Sequence, residues 1–252
     1  MRILAINGSH RGAAGFTQFL LDKLAEGARQ AGGQFETIVL ADRRIIPCAA
    51  CEKCHSPESY LRCIYENDDD VAAIFAEMRA ADLLIYATPV YAFGLTGRIK
   101  TFLDRFNATA GTGELRVTDS GLFFGRVDKT IYSKPTVVLT LCGNVEPETV
   151  HSVVAYFKTF CRFLDAPLVG VLARKSVGLL EPVRAGNPAA VTPAIAAVLA
   201  AYIEAGRQLA TVGRISPATE RKANSHILPI PALGLILRFP FLKRLALKYA
   251  AK

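Results

Sequence analysis

No opening segment of this 252-residue chain has the basic, apolar, small-residue order of a secretory signal; Met1 runs straight into the apolar RILAIN. Export is therefore not expected, and the cytoplasm is the expected compartment. A reducing compartment excludes a disulfide framework, which leaves the six cysteines as free thiols or metal ligands. The first glycine-rich loop, GSHRGAAGFTQ, lacks the Gly-Lys-Ser/Thr ending of a Walker A sequence and also lacks GxGxxG. A P-loop and a dinucleotide fingerprint are both excluded there. The apolar run at 227–237 is eleven residues, too short to span a bilayer. No internal repeat is present, so a solenoid is excluded. Acids are nearly missing after residue 213. Glu220 stands alone against eight Lys/Arg, giving residues 214–252 a net +7 of the chain's +8. Carried by an apolar tail, this charge argues against nucleic acid and for a membrane surface or an acidic partner.

What is present is regular. Short apolar runs at 3–6, 35–40, 82–88, 134–141 and 167–172 end in turn residues and read as buried parallel strands. Helical patterns lie at 17–30, from 71 through 78, and at 97–106, 147–163 and 189–211. Gly32-Gly33 ends the first helix; Asp68, first of three consecutive acids, is the expected cap of the second. Five strand–helix alternations make an α/β fold, a doubly wound five-stranded parallel sheet of flavodoxin-like order 2-1-3-4-5. Ligands of such sheets sit beyond the carboxyl ends of the strands, at the switch point between strands one and three. The loops after Asn7, Thr88 and Leu141 are thus expected to line one site.

The first of these loops offers Ser9, Thr17 and Arg11 at a helix N-terminus, groups that suit a phosphate; the alternative is an ordinary βα turn. In the second, Pro89 stiffens the turn, Tyr91 and Phe93 supply flat apolar surface, and Thr96 is placed to cap a helix. In the third, Cys142 either faces a ligand or is a small buried hydrophobe. Cys161, inside a helix, is read as core. Lys100, Asp104 and Arg105 are read as structural ion pairs or a dimer surface.

Asn7-Gly8-Ser9-His10-Arg11 and, above all, TPVYAFGLTGRIKTFLDR at 88–105 resemble the NADPH-dependent FMN reductase family of flavodoxin-like proteins. The resemblance covers residues 1–172 and implies an FMN-binding oxidoreductase. It places Ser9, His10, Arg11, Phe16, Thr17 and Gln18 around the FMN phosphate. Pro89, Val90, Tyr91, Ala92, Phe93 and Gly94 fall at the isoalloxazine, and Leu141, Cys142 and Gly143 at the other flank of the ring. His10 stands where members commonly have proline, and Phe16 where many have asparagine.

Four cysteines crowd into residues 47–63 as C-x2-C-x2-C-x8-C: Cys48, Cys51, Cys54 and Cys63. Consecutive steps of this kind can turn three thiolates to one centre, and eight further residues can return a fourth. Read from the residues alone, a [4Fe–4S] cluster, a zinc ion (with His55 as a substitute ligand) and metal-free thiols all stay open. The stretch resembles the iron–sulfur flavoproteins, a branch of the same family, which implies a [4Fe–4S] cluster on all four cysteines. Flavin and cluster together convert a two-electron donor into one-electron steps, so no general acid or base is assigned.

Residues 107–133 are longer than an ordinary connection, and read as a surface hairpin or as a lid or oligomer arm. From Ser216 the chain is expected to leave the fold, giving an FMN-binding domain at 1–213 and a basic, apolar extension at 214–252. Pro229, Pro231 and Pro240 interrupt the extension. After Pro240, Leu242, Leu245, Ala246 and Tyr249 form one face of an amphipathic helix, with Lys243, Arg244, Lys248 and Lys252 largely elsewhere. Three uses are open: clasping a second subunit, resting on an anionic membrane, or folding back on the core. The expected protein is a cytoplasmic homo-oligomeric enzyme, peripheral at the membrane under the second use. It passes electrons between NAD(P)H or a ferredoxin-like donor and a small acceptor such as a quinone or flavin. A non-catalytic electron carrier and a zinc-stabilised flavin-binding regulator are the alternatives.

Overall fold

The computed structural model describes residues 1–228, 230 and 232–250, with the backbone alone at 112–114, 249 and 250. The strands are β1 (Arg2–Asn7), β2 (Gln34–Val39), β3 (Leu83–Pro89), β4 (Ala110–Val117), β5 (Phe123–Val127), β6 (Thr136–Leu141) and β7 (Leu168–Arg174). The helices are α1 (Phe16–Gln30), α2 (Val71–Ala80), α3 (Gly97–Asp104), α4 (Lys129–Tyr132), α5 (Glu148–Phe163), α6 (Glu181–Arg184), α7 (Pro193–Val212), α8 (Pro217–Ala223), α9 (Leu233–Ile236) and α10 (Pro240–Ala250). One parallel sheet runs β2-β1-β3-β6-β7. Counting only its own strands, this is 2-1-3-4-5, the expected order.

β3 and β6 are buried along their whole length and β1 from Ile3 onward, which is why they read as unbroken apolar runs. On one face of the sheet α1 and α7 build a core from Leu20, Leu24, Val198, Tyr202 and Leu209. On the other, α2, α3 and α5 do so with Ile74, Phe102 and Phe157. α1 and α7 touch backbone to backbone. A Cβ on Gly27 would lie 1.7 Å from the Ile203 carbonyl oxygen, and one on Gly206 1.9 Å from that of Leu24. Only glycine permits this approach. By length and composition α7 could cross a bilayer; here its apolar face packs on α1.

Two helix starts differ from expectation. α7 begins at Pro193, not residue 189, because the Thr192 hydroxyl accepts the Ile195 N–H and proline takes the first helical position. Asp68 does not cap α2. Asp70 holds the cap position, and the Asp69 carboxylate accepts the Val71 N–H at 3.1 Å. Three acids in a row look alike in sequence; Asp69 is the one that pairs with Arg105. The insert is a hairpin of β4 and β5, with Val117 opposite Phe123. Arg116 and Lys129 tie it to Asp165 on the body.

The chain does not leave the fold at Ser216. α8 covers the open edge of β7, with Ile215, Thr219, Ala223 and Ile227 buried. The Val171 N–H donates to Glu220 at 3.0 Å and the Ala173 N–H to Asn224 at 2.7 Å. The Asn224 amide donates back to the Val171 carbonyl at 2.9 Å. Two side chains thus stand in for a further strand and close the edge. The expected 213/214 boundary therefore cuts through packed structure.

α10 starts at Pro240, as expected. Lys243 pairs with Glu146 at 2.8 Å, so the helix folds back on the body at that point. Leu242 and Ala246 are half-buried, but Leu245, from the expected apolar face, is exposed. Apolar residues encircle this helix, and one contact line cannot cover them all. Pro229, Pro231, Lys252 and the Tyr249 side chain lie outside the described residues.

Candidate functional site

The carboxyl ends of β1, β3 and β6 bring three loops together. Buried Asn7 closes β1: its Oδ1 accepts the Ser9 N–H at 2.9 Å and its Nδ2 donates to Gln18 Oε1 at 3.0 Å. The buried Ser9 hydroxyl accepts the Arg11 N–H at 3.2 Å. At Gly15 the loop turns into α1, and no side chain caps that helix. A Cβ on Gly15 would crowd Ser9 Oγ at 3.0 Å. The first-turn N–H groups of α1 have no helical partners. Beside them Thr17 is buried, and among the described residues its hydroxyl makes no hydrogen bond. A positive helix end with an unpaired buried hydroxyl is a cradle for an anion, and it fits the phosphate of FMN. Phe16 and Gln18 sit at its margin, with the Gln18 amide spanning Asn7 and Asp22.

Sequence reasoning missed Arg184. Its guanidinium lies 5.4 Å over the Phe16 ring and donates to the Ala14 carbonyl at 2.9 Å. It also pairs with Glu181, whose carboxyl it holds below the usual range by hydrogen bonding. No spacing or motif marks an arginine that reaches back across most of the chain.

The second loop is strained. Tyr91 and Gly94 exchange backbone hydrogen bonds at 3.2 and 3.0 Å, with Ala92 (φ 47°) and Phe93 (φ 61°) between them. Both central residues are left-handed without being glycine, at a cost of about 1–3 kcal/mol each. The Ser152 hydroxyl holds the turn by donating to the Phe93 carbonyl. The turn presents Tyr91 and Phe93 to solvent, Phe93 71% exposed. His10 stacks on Tyr91, ring centroids 5.8 Å apart and 12° from parallel. Thr96 caps α3 as expected and donates to the Gly8 carbonyl at 2.6 Å, stitching the first loop to the second. The Val90 N–H donates to the Leu141 carbonyl at 2.8 Å, stitching the second to the third.

In the third loop Cys142 points inward. Its thiol donates to the Asn144 carbonyl at 3.4 Å, and burial pushes that thiol up from its ordinary range. Gly143 and Asn144 are the exposed part of this loop. Arg174, fully buried at the end of β7, also escaped the sequence reading. It donates to the carbonyls of Lys175, Ala223 and Ser225 and pins α8 beside this loop.

The cysteine stretch is fastened at both ends. Asp70 and Arg44 exchange two hydrogen bonds, at 2.8 and 2.9 Å. Arg105 and Asp69 form a buried ion pair; Arg105 donates to the Ile46 carbonyl at 2.8 Å, and Asp69 accepts the Ile46 N–H at 2.9 Å. Arg105 also lies 5.5 Å from the Tyr65 ring centroid. Arg105 is therefore a structural ion-pair partner, one of the two readings given for it, while Lys100 and Asp104 pair with each other on the exposed face of α3. Between these fasteners Ala50, Glu52 and Leu61 are left-handed, and Cys54 and His55 both reach the Asn107 carbonyl. All four thiols are free. The Cys54 thiol is pushed up first by partial burial and then by Cys63, Cys48 and Cys51, so the other three bear on it. They do not close into a coordinating set: among the described residues no three His, Cys, Asp or Glu side chains are placed to hold a metal. The donor set suits a cluster, but the ordering of such ligands comes with the binding free energy of the metal itself. A cavity of 130 Å³ opens beside Cys63 and Arg105, whose Nε has no partner among the described residues.

Residues 1–132 match the family described as NADPH-dependent FMN reductase. An iron–sulfur flavoprotein of Archaeoglobus fulgidus is 34% identical over 151 residues, covering 57% of this chain and 70% of that protein. An iron–sulfur flavoprotein of Methanosarcina thermophila is 31% identical over 42% of this chain, which spans only 52% of that protein's length. An FMN-dependent NADH-azoreductase from Bacillus anthracis, solved with FMN, superposes with a TM-score of 0.58 over 84% of this chain and all of its own, at 15% identity. At that identity the likeness is one of fold.

Proposed function

The chain belongs to the NADPH-dependent FMN reductase family, and we propose that it is a cytoplasmic oxidoreductase using FMN and a [4Fe–4S] cluster to move electrons between NAD(P)H or a ferredoxin-like donor and a small acceptor such as a quinone or flavin. One observation carries the flavin half: the Thr17 hydroxyl, without a partner among the described residues, at the uncapped start of α1, stitched through Thr96 to the strained aromatic turn. Ser9, Arg11, Thr17 and the first-turn N–H groups bind the phosphate. Tyr91 and Phe93 cover the ring, on a turn shaped by Pro89, Val90, Ala92 and Gly94. Gly143, with the backbone of Leu141 and Cys142, borders its far flank. His10 steadies Tyr91 by stacking. FMN, when bound, supplies hydride acceptance and single-electron release.

Cys48, Cys51, Cys54 and Cys63 hold the cluster, which when bound carries one electron at a time. The C-x2-C-x2-C-x8-C spacing of four free thiols and the names of two relatives support this part. The protein's own work is positional, and no residue is assigned as a general acid or base. A homo-oligomer belongs to the proposal; Leu115, Val117 and Phe123 on the insert hairpin are exposed and suit a subunit contact.

The deciding measurement is an anaerobic visible spectrum with iron, sulfide and zinc analysis. The expected result is flavin bands with broad cluster absorption and about four irons per chain. Flavin without iron removes the cluster, and zinc in its place makes the site structural. Nicotinamide oxidation with a generic acceptor tests the enzyme. Reduction by a protein donor alone, with no nicotinamide consumed, makes the protein an electron carrier.

A further inference from the structure

We propose that α10 docks the protein on the surface of an anionic phospholipid bilayer. The contact uses the outward face of the helix, and it goes beyond the flavin chemistry. α10 has two sides. Leu242, Lys243 and Ala246 are half-buried toward the body, and Lys243 is anchored to Glu146 at 2.8 Å. The opposite side carries Phe241 (65% exposed) and Leu245 (48%) around exposed Arg244 and Lys248, and Leu247 (70%) is exposed at the flank, one turn after Lys243. Just before the helix, Leu235 and Phe239 are also exposed, with exposed Arg238 between them. Apolar side chains interleaved with cations suit the headgroup boundary, where the former enter the acyl region and the latter reach phosphate.

The charge pattern selects this occupant. After Glu220 the chain has no acid. A tail-to-tail contact with a second copy would therefore set Arg244 and Lys248 against cations. A nucleic acid would satisfy the cations and leave Phe241 and Leu247 in water. An anionic bilayer satisfies both sets. At 11 residues α10 is too short to span and long enough to lie flat. Because Glu146 follows Asn144 of the third loop by two residues, docking brings that loop within about 10 Å, one helix diameter, of the lipid.

The test is co-sedimentation of the full chain with phosphatidylcholine vesicles containing about 30 mol% phosphatidylglycerol, and with pure phosphatidylcholine. Each exposed cation near an anionic surface is worth about fivefold in partitioning. Binding is expected to be at least about tenfold stronger on the anionic vesicles at about 0.05 M salt, and to fade at about 0.5 M. Arg244→Glu with Lys248→Glu, both at exposed positions, is expected to abolish the preference. Leu247→Ser, which removes apolar surface without changing charge, is expected to weaken binding about tenfold with the salt dependence kept. The far-ultraviolet spectrum and flavin content of each variant show that the body is intact. No anionic preference, or wild-type binding by the charge-reversed protein, overturns the proposal. So does a tail-dependent dimer in sedimentation velocity that leaves no lipid binding.

Discussion

The first loop and the cysteine loop stand at the same end of the sheet and are built in opposite ways. In the first, the groups that would meet a ligand are already placed. Asn7 fixes Ser9, Gly15 leaves room, α1 begins uncapped, and the Thr17 hydroxyl has no partner among the described residues. In the cysteine loop the frame is fixed and the ligands are not. Asp69, Asp70 and Arg105 fasten residues 44–46 to the start of α2, while the thiols between stay apart. A phosphate is read by backbone N–H groups, and those come with the helix. A cluster is read by side chains on irregular chain, and their convergence awaits the metal. It follows that flavin binding should survive loss of the cluster, while cluster binding should depend on a few fasteners.

The largest expected effect comes from breaking a fastener. Arg105→Ala leaves Asp69 buried and unpaired, a loss of about 3–5 kcal/mol in denaturant unfolding. Bound iron should fall much further than bound flavin; equal losses would mean that the two loops are not independent. Next is Thr17→Val, close to isosteric. The affinity for FMN should drop about 10- to 100-fold, the loss of a hydrogen bond to a charged group, with iron unchanged. The flavin-free protein should become slightly more stable, because an unpaired buried hydroxyl is removed. Calorimetric titration and thermal melts read the two signs separately.

Smaller still is Ala92→Gly. Glycine accepts the left-handed turn, so stability should rise by about 1 kcal/mol while FMN affinity slips modestly as the turn loosens. An unchanged melting temperature would show that the turn carries no strain. The smallest effect is in thiol labelling. Exposed Cys51 should react with iodoacetamide first, and buried Cys142 and Cys161 last, by mass spectrometry. Burial raises the Cys142 pKa in the folded state. Its protonated form therefore adds stability below the ordinary thiol range, and that share is lost as pH climbs through the raised value. Labelling of Cys142 at neutral pH as fast as Cys51 would erase the contrast.

Much of the architecture was legible because its causes are local. Strands buried on both faces must read as apolar runs, and Gly32, Thr96 and Pro240 mark their helix ends or starts by residue chemistry. The first loop was legible for the same reason. What escaped was long-range and one residue wide. Arg184 over Phe16, Arg174 beneath α8, and Glu220 with Asn224 along β7 act through single side chains that leave no period. Which of three adjacent acids serves α2 was equally invisible, because Arg105 decides it from another helix. The outward turn of Leu245 depends on where α10 meets the body.

The glycine contact between α1 and α7 extends the reach of the phosphate cradle. Gly27 lies eleven residues along α1 from Phe16, about 16 Å down the same rigid rod. With no gap between the two backbones, even one added methyl at Gly27 or Gly206 must push the rod sideways or along its axis. The mouth of the rod is where the proposed phosphate cradle lies. On that reading, affinity for a cofactor can be retuned from the far end of a helix by residues that never come near it, and a survey of substitutions limited to the pocket would miss this control.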